Sequence, residues 1–341
     1  MPTLTPLTRT LVTALVEDAV TAPSMHNAQP WRFVHRSGTD TVELYGDPAR
    51  AMPREDPDHR ALHLGCGAAL FGLRVAAADR GLHAVTRLLP DPGAPWHLAD
   101  VHLRGPAEEH REEDELAVFR TALRERHTSR FPFTEERIPA EILDGLSAEA
   151  VREGCRLVVP GAWHTDTVLG LVHASELFEA ASDSVRAEIA AWTRTGTAGE
   201  GTATEGAGGS GTEGIPSYAF GPRQYDVTSP VRDFDARRRV AARATAAFEK
   251  RPQIALLGTT GDTPREWLTA GQAMQRILLR ATLDGLSASL MSQPLEWPEL
   301  RSLARDPGST MGFVHMVLRL GYGPRGRATP RRPVSEVLDI D

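Results

Sequence analysis

Apolar residues recur at helical spacing in some segments of the chain and alternate with polar residues in others. The first such segment predicts a helix from Leu11 to Ala19, which ends before Pro23 because the residue ahead of a proline avoids helical geometry. WRFVHR and TVELYG then alternate around a Ser-Gly turn and predict a β-hairpin. Two long helices rich in small residues are predicted over 62–81 and 267–290.

Further elements are predicted in the second half of the chain. The acidic run at 108–127 predicts a helix with a solvated charged face, and shorter helices are predicted over 167–178 and 185–193. RLVVP, IALLG and FVHMVLRLGYG predict strands. Residues 195–214 contain almost nothing that could join a core, so they predict a flexible loop. Because helices and strands interleave, the class is α+β or α/β.

The two long helices match each other at an offset of 204 residues, as in Gly67 with Gly271 and Gly81 with Gly285. Any two buried helices rich in Gly and Ala will resemble one another to some degree. The alternative is that one ancestral subunit was duplicated and fused, so that two equivalent helices meet across a pseudo-twofold axis, as in a homodimer.

Composition and charge narrow the function classes. A formal net charge of −7 gives no field that would attract nucleic acid or an acidic membrane surface. Cys66 and Cys155 are too few for a disulfide framework and fit a reducing cytoplasm. No signal segment is evident, and no stretch approaches the roughly 20 apolar residues that a membrane span needs. We therefore expect a cytoplasmic protein that acts on small molecules.

Two short motifs carry candidate chemistry. In APSMHNAQPWRF, Ser24, Asn27 and Gln29 offer donors and acceptors, while two prolines restrict the backbone ahead of Trp31. RERHTSRFPF supplies cationic donors that suit an anion. Its candidate binding residues are Arg126, His127, Thr128 and Arg130.

These motifs resemble those of the nitroreductase family. The loop resembles the family pattern P-S-x-x-N-x-Q-P-W, and the second segment resembles the family's R-x-S-x-R segment, with Thr in place of Ser. Within the family, the chain is most similar to the mycobacterial Acg-type branch of fused, single-flavin proteins. The resemblance implies a nitroreductase-like α+β fold in which tandem halves, 1–115 and 116–341, form a pseudo-dimer.

The resemblance also implies one FMN per chain, held between the loop of the first half and the arginine motif of the second. It implies that Arg331, followed by Arg332, reaches the phosphate from the basic tail. Pro294 and Leu295, in SQPLEWPEL, resemble a segment that passes close to the flavin ring. A solvated basic tail is the alternative explanation for the arginines.

In the Acg-type branch a segment of the glycine-rich region folds over the flavin. Here that lid would span 195–225 and bring Tyr218, Phe220 or Tyr225 near the cofactor. Together with Trp31, these residues are the candidates for contact with substrate.

Two other signals are set aside. Gly321, Gly323 and Gly326 spell G-x-G-x-x-G, but a proline-rich tail follows instead of the long helix that a dinucleotide site requires. His59 and His63 lie four residues apart, but no third metal ligand is evident nearby, so we expect no metal.

The sequence thus predicts an FMN-dependent oxidoreductase that exchanges hydride or electrons with a nitroaromatic, a quinone, a conjugated carbonyl or a metabolite to be desaturated. Because the chemistry occurs at the flavin, no catalytic side chain need exist. NADH or NADPH is the candidate reductant, and a monomeric pseudo-dimer or weak homodimer is expected. The alternatives are a non-enzymatic stress protein that sequesters flavin and a binding module that holds another anion without flavin.

Overall fold

The computed structural model describes residues 7–105, 115–194, 211–225, 231–235, 240 and 243–341. In these ranges the chain mixes helices with two main sheets, and the α+β class is confirmed. The helices are α1 (Arg9–Ala19), α2 (Arg60–Asp79), α3 (Ala122–Glu125), α4 (Ala140–Arg152), α5 (Ala162–Ala181), α6 (Asp183–Ala191), α7 (Pro264–Leu283), α8 (Pro298–Arg301) and α9 (Val334–Val337). The strands are β1 (Trp31–His35), β2 (Thr41–Gly46), β3 (His83–Leu88), β4 (His97–Arg104), β5 (Arg156–Val158), β6 (Thr193–Arg194), β7 (Ile215–Pro216), β8 (Arg223–Gln224), β9 (Thr245–Ala246), β10 (Gln253–Thr259), β11 (Ser287–Met291), β12 (Phe313–Gly321) and β13 (Leu338–Ile340).

The larger sheet has five strands in the order β13-β1-β2-β4-β3. β1 and β2 form the predicted hairpin, in which Phe33 lies opposite Leu44 and both side chains are buried in the core. β13 pairs parallel with β1 and places Leu338 opposite Phe33. The end of the chain is therefore tied to its first strand.

The second sheet has four strands in the order β11-β12-β10-β5. After Phe313, every residue of β12 is buried, as expected for a strand that is covered on both faces. β10 lies beside it and is buried from Ile254 onward. The apolar runs IALLG and FVHMVLRLGYG are thus central strands.

The two sheets repeat one order of elements. The series α1, β1, β2, α2, β3, β4 in the first half corresponds to α4, β5, β10, α7, β11, β12 in the second. In each sheet the strand before the long helix pairs with the second strand after it: β2 pairs with β4, and β10 pairs with β12. The first strand after each long helix, β3 or β11, lies at the edge of its sheet. Two connections differ most. Residues 20–30 join the first helix to the first strand in one half and only residues 153–155 do so in the other, whereas residues 36–40 join β1 to β2 but residues 159–252, which include α5, α6 and β6–β9, separate β5 from β10.

Helices α2 and α7 pack along each other at the centre of the molecule. A Cβ atom added to Gly67 would lie 2.3 Å from the Leu268 carbonyl oxygen, and one added to Gly271 would lie 2.2 Å from the Leu64 carbonyl oxygen. Only glycine allows backbones to approach so closely. Leu64 and Leu268 are themselves equivalent in the 204-residue repeat, so the two contacts are reciprocal.

The predicted end of the second long helix is wrong. α7 ends at Leu283 instead of Leu290, because Gly285 takes a left-handed conformation (φ 77°) and the chain continues as β11. Gly81 (φ 68°) ends α2 in the same way, as predicted. The period of the apolar residues continues through this turn, so periodicity alone did not reveal the strand.

The predicted helix over 108–127 is interrupted within the described residues. Residues 106–114 lie outside them, residues 115–117 are helical, and the chain then turns at 118–121 before the short helix α3. The predicted loop over 195–214 lies outside the described residues as far as 210. Helix α4 and strands β3, β4 and β13 were not predicted.

Helix α2 corrects the expectation about long apolar stretches. By length and composition it could cross a membrane, but 83% of its most apolar window is buried inside the protein. Its apolar surface is thus covered by the rest of the fold, as in a core helix.

Candidate functional site

The loop between α1 and β1 has an unusual backbone. His26, Asn27 and Gln29 have φ values of 46°, 58° and 53°, in a region that residues other than glycine rarely adopt. The Ser24 hydroxyl accepts a hydrogen bond from the Gln29 backbone N–H at 2.9 Å and helps to hold this shape. Strained residues of this kind concentrate at functional sites, where neighbouring contacts maintain them.

The Asn27 side chain connects three parts of the chain. Its Nδ2 lies 3.2 Å from the carbonyl oxygens of Thr212 and Gly214 and 3.1 Å from that of Pro330. Its Oδ1 accepts a hydrogen bond from Arg331 at 2.9 Å. An amide has only two N–H donors, so the protein itself satisfies them in this conformation.

Two distant arginines meet at the carboxyl end of α1. Arg126 Nη2 donates to the Thr21 carbonyl at 3.0 Å, and Arg331 donates to the carbonyls of Val20, Thr21 and Ala22 at 2.9, 3.1 and 3.2 Å. These carbonyls follow the last helical residue, Ala19, and a carbonyl group carries no net charge. They hold both guanidinium groups in place without cancelling their charge.

Among the described residues, the positive charge at this end of the cleft has no acidic partner. In the part of the chain that the structure describes, no carboxylate forms an ion pair with Arg126, Arg130 or Arg331, and the Arg126 Nε has no hydrogen-bond partner. Burial lowers the pKa of Arg126 to about 9, with Arg331 as the second cause, and lowers the pKa of Arg130 and Arg331 to about 10. Because a guanidinium stays protonated in proteins, these shifts indicate buried charge that lacks a counter-charge.

These residues line one cleft of about 1150 Å³, a volume that includes space open to solvent. The loop, the arginine motif and the tail all contribute to it. Asn27 and Arg126 therefore share a cleft. The predicted site residues that line it are Ser24, Asn27, Arg126, His127, Thr128, Arg130 and Arg331.

Four other predicted residues support the cleft without lining it. Gln29 is fully buried and accepts a hydrogen bond from the Arg332 backbone N–H at 2.8 Å, which ties the loop to the tail. Trp31 is fully buried in the core. Pro294 is buried in a short turn, and Gln293 on the same turn lines the cleft. Leu295 packs into a second apolar cluster under that turn.

The predicted lid aromatics also lie away from the cleft lining. Tyr218 donates to the Ala328 carbonyl at 3.0 Å, Phe220 is fully buried, and Tyr225 is 81% exposed. In their place, nearby residues that the sequence did not single out line the cleft. These are Ile215, Val231, Arg232 and Phe234.

A group of carboxylates around Arg232 was missed by the sequence reasoning. Arg232 donates to Glu55 at 3.0 Å, to Glu179 at 2.7 Å and to Glu296, and His26 Nε2 lies 2.9 Å from both oxygens of Glu55. We call these five residues the Arg232 cluster. Their positions share no spacing, so no motif could have revealed them. His26, Arg232 and Glu296 line the cleft.

Burial perturbs the titration of the whole Arg232 cluster. It raises the pKa of Glu55 to about 8 and raises the pKa of Glu179 and Glu296, whereas it lowers the pKa of His26 to about 3. Arg232 opposes each of the three carboxyl shifts. Three buried carboxylates cannot all stay ionised beside one cation, so the cluster retains a proton near neutral pH.

The two signals that were set aside have structural explanations. His63 Nδ1 lies 2.6 Å from the His59 carbonyl oxygen, and both rings contact Trp96. Among the described residues, no group of three or more His, Cys, Asp or Glu side chains could hold a metal. A Cβ atom on Gly326 would lie 2.1 Å from the Thr128 carbonyl oxygen, so this glycine lets the tail pass close to the arginine motif.

No family model matches the chain. A protein of Mycobacterium tuberculosis strain H37Rv with the provisional name NAD(P)H nitroreductase is 30% identical over 326 residues, covering 94% of this chain and 89% of the relative. Acg of the same strain, which carries the same provisional name, is 29% identical over 348 residues and covers 98% and 97%. A crystal structure from Anabaena variabilis, provisionally titled a nitroreductase, covers 92% of this chain and 88% of that one at 10% identity, with a TM-score of 0.47.

The first of these relatives places the chain in a class, that of oxidoreductases of the nitroreductase type. The chain belongs to the nitroreductase family, and its resemblance to the Acg-type branch is confirmed by the match over almost its whole length.

Proposed function

We propose that this protein binds one FMN in the cleft and uses it to transfer hydride or electrons between a nicotinamide reductant and a small organic substrate. NADH or NADPH is the reductant, in keeping with the names of the mycobacterial relatives. The acceptor is a nitroaromatic, a quinone or a conjugated carbonyl, or the enzyme acts in the opposite direction and desaturates a metabolite.

The observation that carries this proposal is the uncompensated charge of Arg126, Arg130 and Arg331. Each of these guanidinium groups is held by backbone carbonyls, and Arg331 is held by Asn27 as well. A phosphate monoester supplies the missing negative charge together with several acceptor oxygens. The free Arg126 Nε is a donor that such a group could use.

The residues present fit FMN. Arg126, Arg331 and His127 would hold the phosphate, while Ser24, Thr128 and Arg130 offer polar contacts to the rest of the cofactor. When bound, FMN supplies the hydride-accepting and hydride-donating chemistry. The protein orients it, excludes water with apolar side chains and stabilises negative charge that develops on reduction, because its cationic donors are fixed in advance.

The apolar side of the cleft suits a flat aromatic ring. Ile215, Val231 and Phe234 line it, and the Arg130 guanidinium lies 5.0 Å from the centre of the Phe234 ring. Phe234 thus packs against Arg130 on the apolar side of the cleft.

We also infer that residues 1–115 and 116–341 are two nitroreductase-like halves that form a pseudo-dimer. The repeated element order and the reciprocal contacts of Gly67 and Gly271 support this inference. The equivalent of the binding loop is reduced to residues 153–155 in the second half, so the symmetry-related site lacks a loop. One FMN per chain follows, in a monomer or weak homodimer.

An absorbance spectrum of the purified protein tests the proposal. We expect a yellow protein with one FMN per chain, which NADH or NADPH bleaches and a quinone reoxidises. Protein that stays colourless after FMN is added would instead favour a module that binds another anion.

A second candidate is a flavin-sequestering stress protein whose site excludes reductant. Two observations favour this candidate. Val231 and Phe234 line the cleft, and the carbonyls of Thr212 and Gly214 accept hydrogen bonds from the Asn27 amide. Such a protein would be reduced by light or dithionite but not by NADH or NADPH. Small oxidants would then reoxidise it no faster than buffer does.

A further inference from the structure

We propose that Glu296 donates the proton that accompanies hydride transfer to the substrate in this cleft. The inference rests on the proposed function, because only a reduction consumes this proton. Glu296 follows the turn Gln293–Leu295 and lines the cleft, with its side chain 4% exposed. It therefore faces the space that cofactor and substrate would occupy and is shielded from bulk water.

Few other groups that line the cleft could serve as the acid. Burial lowers the pKa of His26 to about 3 and that of His127 to about 4, so both imidazoles are neutral at pH 7 and have no acidic proton. Both carboxylate oxygens of Asp56 accept hydrogen bonds from the first N–H groups of α2, at 2.9 and 3.0 Å. Among the lining residues that the structure describes, Glu296 remains.

The hydrogen bonding of Glu296 fits a protonated carboxyl group. One oxygen, Oε2, accepts from Arg232, while Oε1 is buried without a partner within the described part of the chain. A buried carboxylate oxygen without a donor is costly when the group is ionised, and protonation removes most of that cost. Burial also raises the pKa of Glu296, which favours the protonated form as well.

Charged groups from several elements face Glu296. Arg232 comes from the 231–235 segment, Glu55 from the connection before α2, Glu179 from α5 and His26 from the binding loop. Arg60 on α2 also lies within electrostatic range, but its guanidinium donates to the backbone carbonyls of His315 and Leu295. The two neighbouring carboxyls favour the protonated form, and Arg232 stabilises the carboxylate after the proton has left.

The step balances in atoms and electrons. NADH or NADPH is the source of the two electrons, which reach the substrate with one hydrogen as hydride from the reduced cofactor. The O–H bond of Glu296 breaks as its proton forms a bond to the substrate. The Glu296 carboxylate then recovers a proton from water.

Glu296→Gln tests the proposal when two acceptors are compared on the FMN-loaded protein. A quinone takes up hydride and a proton, whereas ferricyanide takes up one electron and no proton. We expect the rate with the quinone to fall about 100-fold, within the usual range for general acid catalysis. The rate with ferricyanide should stay within about twofold of the wild-type rate. Glu299→Gln, an exposed carboxyl on the following helix, is the matched control and should change neither rate.

The infrared spectrum of the FMN-free protein gives a readout that does not depend on turnover. The carbonyl band of protonated carboxyl groups should lose intensity in Glu296→Gln and keep it in Glu299→Gln. Glu296→Asp retains an acid and should recover part of the quinone rate.

Several outcomes would overturn the inference. Equal losses with both acceptors would indicate a structural role, and an unchanged quinone rate or infrared band would exclude Glu296 as the proton donor. A wild-type protein that binds FMN but reduces neither acceptor would refute the proposed function itself, and with it the need for a proton donor.

Discussion

The two ends of the cleft are both built on buried arginine, but they hold it differently. At the basic end, Arg126 and Arg331 are bound by backbone carbonyls at the end of α1. In the Arg232 cluster, one guanidinium is bound by three carboxyl groups. Carbonyls satisfy the N–H donors but leave the net charge, whereas carboxylates satisfy the donors and cancel it.

This difference separates two tasks within one cleft. The basic end retains positive charge and can attract an anionic group. The Arg232 cluster has more carboxyl groups than cations, so it retains a proton and fixes the segment that carries Val231 and Phe234. The comparison makes four predictions, which follow from the largest expected effect to the smallest.

Arg232→Ala should have the largest effect on stability. It would leave Glu55, Glu179 and Glu296 buried without a cation, and removing one member of a buried ion pair typically costs about 3–5 kcal/mol. Urea unfolding measures the loss. Arg325→Ala is the control, because its ion pair with Glu125 is solvent-exposed and should contribute about 0–1 kcal/mol. If Arg232→Ala lowered the free energy of unfolding by no more than this control does, our description of the cluster would be wrong.

Arg126→Ala should weaken FMN binding at the other end of the cleft. A charge-assisted hydrogen bond to the phosphate contributes roughly 1.5–3 kcal/mol, so we expect affinity to fall tenfold or more. Quenching of FMN fluorescence measures it. Arg124→Ala is the matched control, because its side chain is 61% exposed and pairs with Asp18, outside the cleft lining. Full FMN occupancy in Arg126→Ala would show that the motif was misread.

Asn27→Ala should weaken FMN retention about tenfold, close to 1.4 kcal/mol, because it removes the acceptor that positions Arg331. It should also release the carbonyl of Gly214, whereas that of Thr212 keeps its hydrogen bond from Gln29, so hydrogen exchange near Gly214 should become faster. Equal exchange in the variant and the wild type would show that this amide does not hold the segment in solution.

The pH dependence of stability should report the Arg232 cluster. Between the ordinary pKa of Glu55 and about 8, the folded state binds a proton that the unfolded state has lost, so stability falls as pH rises. His26, His127 and His315, whose pKa values burial lowers to between about 3 and about 4, act in the opposite direction, but only below their ordinary value of 6.5. We therefore expect the loss to emerge above pH 6.5, at about 1 kcal/mol per unit up to pH 8.

Urea unfolding at several pH values measures this slope. Glu55→Gln should make it shallower between pH 6.5 and 8, because the variant side chain does not titrate, while Glu179 and Glu296, whose pKa values burial also raises, keep the rest of the slope. A slope that persists unchanged would show that Glu55 binds no proton in this range.

Local patterns explain which elements could be predicted. The β1–β2 hairpin and the core of each long helix follow from apolar periodicity, and the Gly81 cap follows from its position. Helix α4 was not predicted. Leu146 and Ala150 are buried at helical spacing, but so short an apolar stripe is a weak indication of a helix in the sequence alone. The edge strand β11 was predicted as helix because the apolar period of α7 continues through the turn at Gly285.

The sequence by itself determined the family and the two motifs that line the cleft. Each motif is a short run of residues, and its residue types and spacing can be recognised without the fold. The tertiary structure alone decided that Arg126 and Arg331 meet at the Thr21 carbonyl, just after α1. It also decided that Glu55, Glu179 and Glu296 surround Arg232. Such contacts depend on how helices and sheets pack. Charged side chains that come from distant positions in the chain share no sequence motif.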